Sequence, residues 1–370
     1  MPHSNKQMIS LFLTTRCNLR CKYCYNSSER KRKNEQSLSF TMAKVGIEKF
    51  FKTNCSRHIR FYGPGEPTQE FQLLKDIIEY AKSLDKSVTT ELQTNGCFSE
   101  SECEWLSKNV NIIWISFDGE PDIQNQQRPF PNNIPSSPVI ERNVRSIVEN
   151  GKNVMVGARV TITDKNSSRQ KEMLNYFYNL GIKHVWSDPI FPSVGEIPVC
   201  KDLKKLKNYH LDMDAYVDNF ISAYHYSKQI GIFYGSFLTC NFDGVCKKHC
   251  RACTPVPHLT TDGYVSACDL VTFGENAGHM DCFVYGKWND DIQDYEYDYE
   301  KIKELQNRIT DNMPHCSQCN INEHCGGYCL GEVMNETGSL YGQKLATCKA
   351  IKRIAKEIGF TNTEYEYLHP

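Results

Sequence analysis

The sequence predicts an α/β fold in which a parallel sheet carries its helices on the outside. Six short, β-rich apolar runs alternate with segments of helical periodicity over the first half of the chain. Such alternation needs crossover connections, which place the strands parallel. Six units are too few for a closed eight-fold barrel, so we expect a partial (β/α)6 TIM-like barrel over residues 1–230. A Cys-rich domain is predicted at 231–350, and a C-terminal helix and tail at 351–370.

Each predicted strand is a short apolar run, and each predicted helix has apolar residues every three or four positions. The strands are Met8–Leu13, His58–Phe61, Val88–Leu92, Asn111–Phe117, Asn153–Thr161 and Lys183–Ser187. The helices are Thr41–Lys52, Gln69–Leu84, Ser99–Lys108, Pro138–Asn150, Ser167–Leu180, Leu211–Ile230 and Thr347–Ile358. Thr41 and Ser99 are predicted N-caps, and Gly151 and Gly181 predicted C-terminal caps.

Length and composition describe an ordinary globular chain. The 370 residues suffice for two or three domains, and 40% are hydrophobic and 24% charged. A net charge of −1 argues against a nucleic-acid partner bound through a strong positive field. No apolar run reaches the roughly 18 residues that a membrane helix needs, and the N-terminus lacks an export signal. We therefore expect a cytoplasmic protein with no membrane partner.

The unusual number is 18 cysteines. A chain of this length with a full apolar complement needs no disulfide cross-links, so short and regular spacings predict metal or cluster ligands. One group is Cys17-x3-Cys21-x2-Cys24, near the start of the chain. A second group lies near the end of the chain, at 316–329.

Polar side chains follow four of the predicted strands. Parallel α/β folds collect their functional groups at the C-terminal ends of the strands. The first cysteine group follows the first strand, Gly63–Pro67 the second and Gln93–Gly96 the third. Ser116 and Asp118 end the fourth. The sequence therefore predicts one site at this edge of the sheet.

The first cysteine group offers three thiolates on one loop. A tetrahedral zinc site needs a fourth ligand, whereas a [4Fe–4S] cluster on three cysteines leaves one iron open to an outside ligand. The spacing, with Tyr23 before the last cysteine, resembles the signature of the radical SAM superfamily. The resemblance implies a cluster on Cys17, Cys21 and Cys24, cofactor binding by Tyr23, and S-adenosyl-L-methionine on the open iron, cleaved reductively to a 5′-deoxyadenosyl radical. A zinc or structural site is the alternative.

The same resemblance assigns further contacts to S-adenosylmethionine. The loop Gly63–Pro67 resembles the Gly-Gly-Glu-Pro motif that holds the methionine ammonium, which implies roles for Gly65 and Glu66, although proline replaces one glycine. Ser116 resembles the fourth-strand residue that contacts the ribose, and Arg128 falls where related enzymes bind the methionine carboxylate. The alternatives are a turn before a helix for the loop and a solvated surface position for the arginine.

Cysteines of the C-terminal region resemble the SPASM extension of radical SAM enzymes, which binds two auxiliary [4Fe–4S] clusters. The pattern is Cys253-x9-Gly263-x4-Cys268, Cys316-x2-Cys319-x5-Cys325-x3-Cys329 and Cys348. The resemblance implies a first auxiliary cluster on Cys246, Cys253, Cys268 and Cys329, with Cys250 competing for the place of Cys246. It implies a second on Cys316, Cys319, Cys325 and Cys348. A pair of zinc sites is the alternative.

Asp269 directly follows Cys268. The resembling anaerobic sulfatase-maturating enzymes carry here an aspartate that takes a proton from the substrate, while the alternative is a residue that caps a turn. The resemblance implies an oxidoreductase that removes hydrogen from a peptide or protein side chain, leading to oxidation or cross-linking. Maturation of a ribosomally made peptide (RiPP) is preferred.

Two other functions stay open: an anaerobic sulfatase maturase that forms formylglycine, and a non-catalytic iron–sulfur or zinc scaffold. The expected partners are a peptide or protein substrate and a reductant such as flavodoxin or ferredoxin. Only sixteen residues precede Cys17, so we expect no fused leader-binding domain. A peptide would then be held in the barrel mouth or presented by a separate leader-peptide-binding partner.

Overall fold

Strands and helices alternate along the first part of the chain, as the sequence predicts. A computed structural model describes residues 7–24, 26, 35–190, 211–275 and 277–360. Its strands are β1 (Ile9–Phe12), β2 (His58–Tyr62), β3 (Thr89–Thr94), β4 (Ile112–Ser116), β5 (Met155–Ile162), β6 (His184–Pro189), β7 (Phe233–Gly235), β8 (His258–Leu259), β9 (Tyr264–Ser266), β10 (Val284–Asn289) and β11 (Asp294–Tyr297). Its α-helices are α1 (Phe40–Thr53), α2 (Phe71–Leu84), α3 (Glu100–Asn109), α4 (Pro121–Gln127), α5 (Ser137–Asn150), α6 (Gln170–Asn179), α7 (Met213–Ile230), α8 (Tyr299–Asn307), α9 (Asn322–Cys325), α10 (Leu330–Thr337) and α11 (Leu345–Ile358). Every predicted strand and helix is present.

One sheet runs through the described residues in the order β11-β10-β9-β8-β1-β2-β3-β4-β5-β6-β7. Strands β1 to β7 are parallel and lie in chain order, which confirms the parallel core of the predicted α/β fold. Strand β8 pairs parallel with the other edge of β1, and β9 to β11 continue antiparallel. The Cys-rich region is therefore hydrogen-bonded to the barrel strands. The division into domains at residue 230 remains a prediction.

Two tryptophans fill the interior of the curled sheet below its C-terminal edge. Trp114 of β4 and Trp186 of β6 are almost fully buried. Gly157 of β5 makes room for the first, because a Cβ atom there would lie 2.2 Å from the Trp114 ring. Gly235 of β7 serves the second ring in the same way, at 2.9 Å. This buried layer packs the interior of the sheet below the strand ends.

Helix caps explain where two of the barrel helices begin. Ser99 caps α3 with a capping box, in which Glu102 returns a hydrogen bond to the cap, as predicted for Ser99. The prediction of Thr41 as a cap is wrong, because Ser39 accepts the hydrogen bond from Met42 N and α1 begins two residues earlier. Among the described residues, no helix is long and apolar enough to cross a membrane.

Candidate functional site

A cavity of about 290 Å³ opens at the C-terminal ends of the parallel strands. Its walls come from the loops after β1 and β2, the ends of β3 to β6, and the Cys-rich region. The predicted site residues that line it are Cys17, Cys21, Tyr23, Cys24, Gly65, Glu66, Ser116, Arg128, Cys268, Asp269 and Cys329. The structure thus brings the predicted cofactor-binding residues and predicted residues of the Cys-rich region to one cavity.

Backbone hydrogen bonds hold the first cysteine loop in place. Arg20 N donates to Pro129 O and Lys22 N donates to Gln127 O, both at 2.8 Å. Burial raises the pKa of the Cys21 thiol to about 12; Arg128 opposes this, and the negative charges of Cys24 and Cys17 add to it. Three thiols packed this closely are unfavourable as free thiolates, and bound iron would remove that cost.

Tyr23 lies in a buried hydrogen-bond network behind this loop. Its hydroxyl donates to Oδ2 of the fully buried Asp118. The same oxygen accepts a bond from Arg128 Nε at 2.9 Å, and the Arg128 guanidinium lies 5.1 Å from the Tyr23 ring centre. Arg128 Nη2 also donates to Thr161 Oγ1 at 3.2 Å. Arg128 is therefore fixed beside the cysteine loop rather than solvated at the surface.

The loop after β2 packs directly on the cysteine loop. Gly65 N donates to Thr14 O at 3.0 Å and Glu66 N donates to Arg16 O at 2.7 Å. A Cβ atom on Gly65 would lie 2.2 Å from the Arg16 carbonyl oxygen, so only glycine fits this contact.

The Glu66 carboxylate is almost fully buried and already well supplied with donors. Its Oε1 accepts bonds from Thr68 N, Thr68 Oγ1 and Thr94 Oγ1 at 2.7–3.1 Å, and Oε2 accepts one from Asn95 N at 2.6 Å. Burial raises the pKa of Glu66, and these hydrogen bonds oppose that shift. One lone pair of Oε2 is left for a ligand such as an ammonium group.

Four cysteines of the Cys-rich region come together beside the main cavity. Cys253 accepts a hydrogen bond from Cys250, and the pKa of Cys250 is raised by that bond, by burial and by the charges of Cys253, Cys329 and Cys268. Cys250 also lines the cavity, whereas the thiol of Cys246 donates to Lys248 O at 3.1 Å. The structure therefore places Cys250, rather than Cys246, beside Cys253, Cys268 and Cys329, and the choice between these two cysteines as fourth ligand remains a prediction.

A second group of four cysteines lines a smaller cavity of about 40 Å³. Its members are Cys316, Cys319, Cys325 and Cys348, as predicted. Burial raises the pKa of Cys316 to about 11, and the charges of Cys348 and Cys319 add to this while Arg308 opposes it. Repulsion between these thiolates again favours a positively charged metal centre bound between the sulfurs.

The donor sets fit iron–sulfur clusters. One group has three cysteines and an open side toward the cavity, and two groups have four cysteines each. Among the described residues, no three His, Cys, Asp or Glu side chains surround a point in the way that a single metal ion requires. All-cysteine groups of three and four are the ligand sets of [4Fe–4S] centres.

Asp269 forms an ion pair across the cavity wall. Arg60 Nη1 donates to its Oδ2 at 3.1 Å, Arg60 Nη2 donates to Oδ1, and His258 Nδ1 lies 3.4 Å from Oδ1. Burial would raise the pKa of Asp269, but the charges of Arg60 and His258 hold it well below its usual range. The carboxylate is therefore ionised, with 32% of its side chain exposed.

Sequence reasoning missed a second charged pair in the cavity. Arg159 of β5 donates through Nη1 to Gln93 Oε1 at 2.6 Å, and its Nη2 lies 3.6 Å from Oδ2 of Asp188 at the end of β6. Oδ1 of Asp188 accepts a bond from Phe237 N at 2.7 Å. The available signal was strand alternation, which puts Arg159 on the same face as Gly157 and Thr161.

Residues 11–177 match the Radical SAM superfamily. With the parallel core and the three-cysteine loop, this match shows that the chain carries a radical SAM domain. A [4Fe–4S] cluster and S-adenosylmethionine are implied by that superfamily.

Similar proteins cover most of the chain. The radical SAM cyclopropyl synthase TigE of Paramaledivibacter caminithermalis is 24% identical over 378 residues, which span 95% of this chain and 73% of TigE. A cysteine-type anaerobic sulfatase-maturating enzyme of Clostridium perfringens is 24% identical over 341 residues, 85% of each protein. The solved structure of native anSMEcpe with bound AdoMet and Kp18Cys peptide has the same fold, with a TM-score of 0.70 and 18% identity over 95% of this chain and 96% of that one.

Proposed function

We propose that the chain removes a hydrogen atom from an unactivated C–H of a peptide or protein side chain, and that loss of a further electron leads to oxidation or cross-linking. S-adenosylmethionine bound at the [4Fe–4S] cluster supplies the 5′-deoxyadenosyl radical for this step. One observation carries the proposal: Asp269 and the Cys17–Cys24 loop line the same cavity. A substrate side chain in that cavity can meet both the radical and a proton acceptor.

The chain's own residues divide into those that bind the cofactor and one that receives a proton. Gly65 and Glu66 would bind the methionine ammonium, Arg128 its carboxylate and Ser116 the ribose, while Tyr23 holds Arg128 in position. All five residues line the cavity, which supports these roles.

Asp269 would accept the proton that the substrate loses, at either carboxylate oxygen. Arg60 keeps it ionised and therefore ready to accept. The electron would pass to the auxiliary clusters, which we propose are held by the two four-cysteine groups. Cys268 joins these two roles, because it would be a ligand of the auxiliary cluster beside the cavity and is the chain neighbour of Asp269.

A peptide is the proposed substrate class, and a RiPP precursor is preferred. Support comes from the similar anSMEcpe, whose solved structure holds a peptide, and from the similar cyclopropyl synthase TigE. A reductant such as flavodoxin or ferredoxin would supply the cluster on Cys17, Cys21 and Cys24. A separate leader-peptide-binding partner would present the precursor.

Formylglycine formation in a sulfatase is the second candidate. It is favoured by the aspartate that directly follows Cys268 and by the likeness to the sulfatase-maturating enzyme over 85% of both chains. The two candidates use the same residues up to hydrogen abstraction and differ only in what the substrate radical becomes. The products therefore have to separate them.

The test is anaerobic reconstitution, followed by incubation with S-adenosylmethionine, a reductant and candidate peptides. Two kinds of peptide are tested. One is the peptide encoded by any short precursor gene beside the gene of this protein, and the other is a sulfatase peptide that contains Cys or Ser. We expect about twelve irons per chain, 5′-deoxyadenosine, and a peptide mass change that identifies a cross-link or formylglycine. A zinc scaffold would hold almost no iron, and no turnover of any peptide would contradict both candidates.

A further inference from the structure

Arg308 is a fully buried arginine between the two four-cysteine groups. Its guanidinium donates to three backbone carbonyls: Nη1 to Gly326 O at 2.7 Å, Nη2 to Gly327 O at 2.7 Å and Nε to Leu340 O at 3.1 Å. These bonds engage three of its five polar hydrogens, and carbonyl oxygens carry no net charge. The positive charge of Arg308 is therefore solvated by dipoles alone.

Arg308 has no carboxylate partner in the part of the chain that the structure describes, where no Asp or Glu side chain lies within 4.0 Å of its guanidinium. Three other cations with little exposure differ, since Arg60 pairs with Asp269, Arg128 with Asp118 and Lys344 with Glu332. A buried charge without a counter-ion is strongly unfavourable, so folded proteins pair such charges or place them beside metal centres.

The surroundings of Arg308 indicate where its counter-charge would be. Gly326 and Gly327 lie between Cys325 of one four-cysteine group and Cys329 of the other. Both glycines have positive φ, at 62° and 82°, and a Cβ on Gly327 would lie 2.6 Å from Arg308 Nη1. The guanidinium therefore needs glycine to reach the segment that joins the two groups.

The hydrogen bonds of Arg308 place its charge close to both groups. Gly326, whose carbonyl accepts from Nη1, directly follows Cys325, and Gly327, whose carbonyl accepts from Nη2, lies two residues before Cys329. One fixed cation therefore contacts the chain within two residues of a cysteine of each group.

We propose that Arg308 is the shared counter-ion of the two auxiliary clusters and that its positive charge raises both of their reduction potentials. This inference rests on the auxiliary clusters of the proposed function. A [4Fe–4S] cluster held by four thiolates is a net anion, and each reduction adds one negative charge. A fixed cation nearby therefore favours the reduced state, which is the state formed when an auxiliary cluster accepts the substrate electron. Arg308 is a positioning residue here and not a catalytic one.

The test is a redox titration followed by electron paramagnetic resonance on the fully reconstituted chain. Arg308→Gln removes the charge, and Arg308→Lys keeps it while losing the two-pronged hydrogen bonding. The glutamine variant should make one-electron reduction of both auxiliary clusters at least tenfold less favourable, about 59 mV for each. The lysine variant should stay within threefold of the wild type. The cluster on Cys17, Cys21 and Cys24 is the internal reference.

A matched control is Arg169→Gln, because Arg169 pairs with Asp122 and Glu120 on the outer surface and should shift no cluster. Equal potentials in wild type and Arg308→Gln would overturn the inference. If Arg308→Gln does not fold, Arg308→Lys provides the test. Twelve irons per chain and wild-type reduction potentials in the lysine variant would support a role for the charge, whereas loss of the auxiliary clusters would overturn it. Four irons in the wild type would overturn the proposed auxiliary clusters themselves and this inference with them. Twelve irons with unshifted potentials in the glutamine variant would overturn this inference alone.

Discussion

Arg60 and Asp269 form a two-bond ion pair that connects strand β2 with the residue directly after Cys268. Arg60 is almost fully buried and also donates through Nε to Ser10 Oγ of β1 at 3.0 Å. The guanidinium is thus fixed by the barrel, and it fixes the carboxylate in turn. The proposed proton acceptor belongs to the Cys-rich region, but this ion pair with the parallel sheet holds its carboxylate in position.

Asp269→Asn should leave reductive cleavage of S-adenosylmethionine in place and block product formation. The amide keeps the shape of the side chain but cannot accept the substrate proton. The measurement compares 5′-deoxyadenosine with modified peptide in the same reaction, and we expect product to fall at least a hundredfold. Asp122→Asn on the outer surface is the control. Full product yield from Asp269→Asn would return Asp269 to a structural role.

Arg60→Met should destabilise the folded chain, because it leaves the Asp269 carboxylate without its cation. Breaking a buried pair costs about 3–5 kcal/mol, and we expect about 2–3 kcal/mol here since Asp269 is 32% exposed. The free energy of unfolding, measured in urea at pH 7, tests this. In the double variant with Asp269→Asn the loss should shrink, because no unpaired charge remains. A strictly additive double variant would show that the pair contributes nothing.

Cys21→Ala should abolish 5′-deoxyadenosine formation and remove about four irons per chain. The remaining two thiols of the loop cannot hold a cluster that already has one open iron. Iron analysis and chromatography of the nucleoside product measure both effects. Cys55→Ala is the matched control, because Cys55 is exposed and outside all three cysteine groups. Persistent 5′-deoxyadenosine in Cys21→Ala would remove the proposed cofactor site.

Cys250→Ala and Cys246→Ala should differ in iron content. Cys250 lies with Cys253, Cys268 and Cys329, so its loss should reduce the iron from about twelve to about eight per chain. Cys246 donates to a backbone carbonyl instead, and its loss should leave the iron unchanged. The opposite pattern would restore Cys246 as the fourth ligand of this group.

Local patterns were sufficient to predict strands β1 to β6 and seven of the helices, because periodicity is a property of neighbouring residues. Strands β7 to β11 and helices α4 and α8 to α10 were not predicted; β7, for example, has three residues, which are too few to show alternation. The choice between Cys246 and Cys250 depends on the turn at Arg251–Cys253, where Cys253 N donates to Cys250 O at 3.1 Å. Spacing alone carries no information about that turn.

Buried charges were the other part that sequence reasoning could not place. The Asp269 partner of Arg60 is 209 residues away and the partners of Arg308 are 18–32 residues away, so no local window contains both members of a contact. A charged residue inside an apolar strand is normally assigned to the surface. Here the inward face of β2, β5 and β6 carries charge because Arg60, Arg159 and Asp188 line the cavity above the two tryptophans.

Asp188 predicts a pH effect on stability that is opposite in sign to the effect of Asp269. Burial raises its pKa from 3.8 to about 6, although Arg159 opposes this. Because the folded-state pKa lies above the unfolded one, the unfolded chain loses this proton first as the pH rises. Stability should therefore fall between about pH 4 and pH 6 and remain lower above that range.

The asparagine side chain of the Asp188→Asn variant cannot ionise, so this variant should not show the loss of stability between about pH 4 and pH 6. Relative to the wild type, its free energy of unfolding should improve by about 2–3 kcal/mol between pH 4 and pH 7, measured by urea unfolding at several pH values. Asp122→Asn is a control of opposite sign, since a hydrogen bond from Arg169 lowers the pKa of Asp122. That variant should lose stability relative to the wild type as the pH rises through 4. Parallel pH profiles for wild type and Asp188→Asn would show that Asp188 is ionised in the folded chain throughout this range.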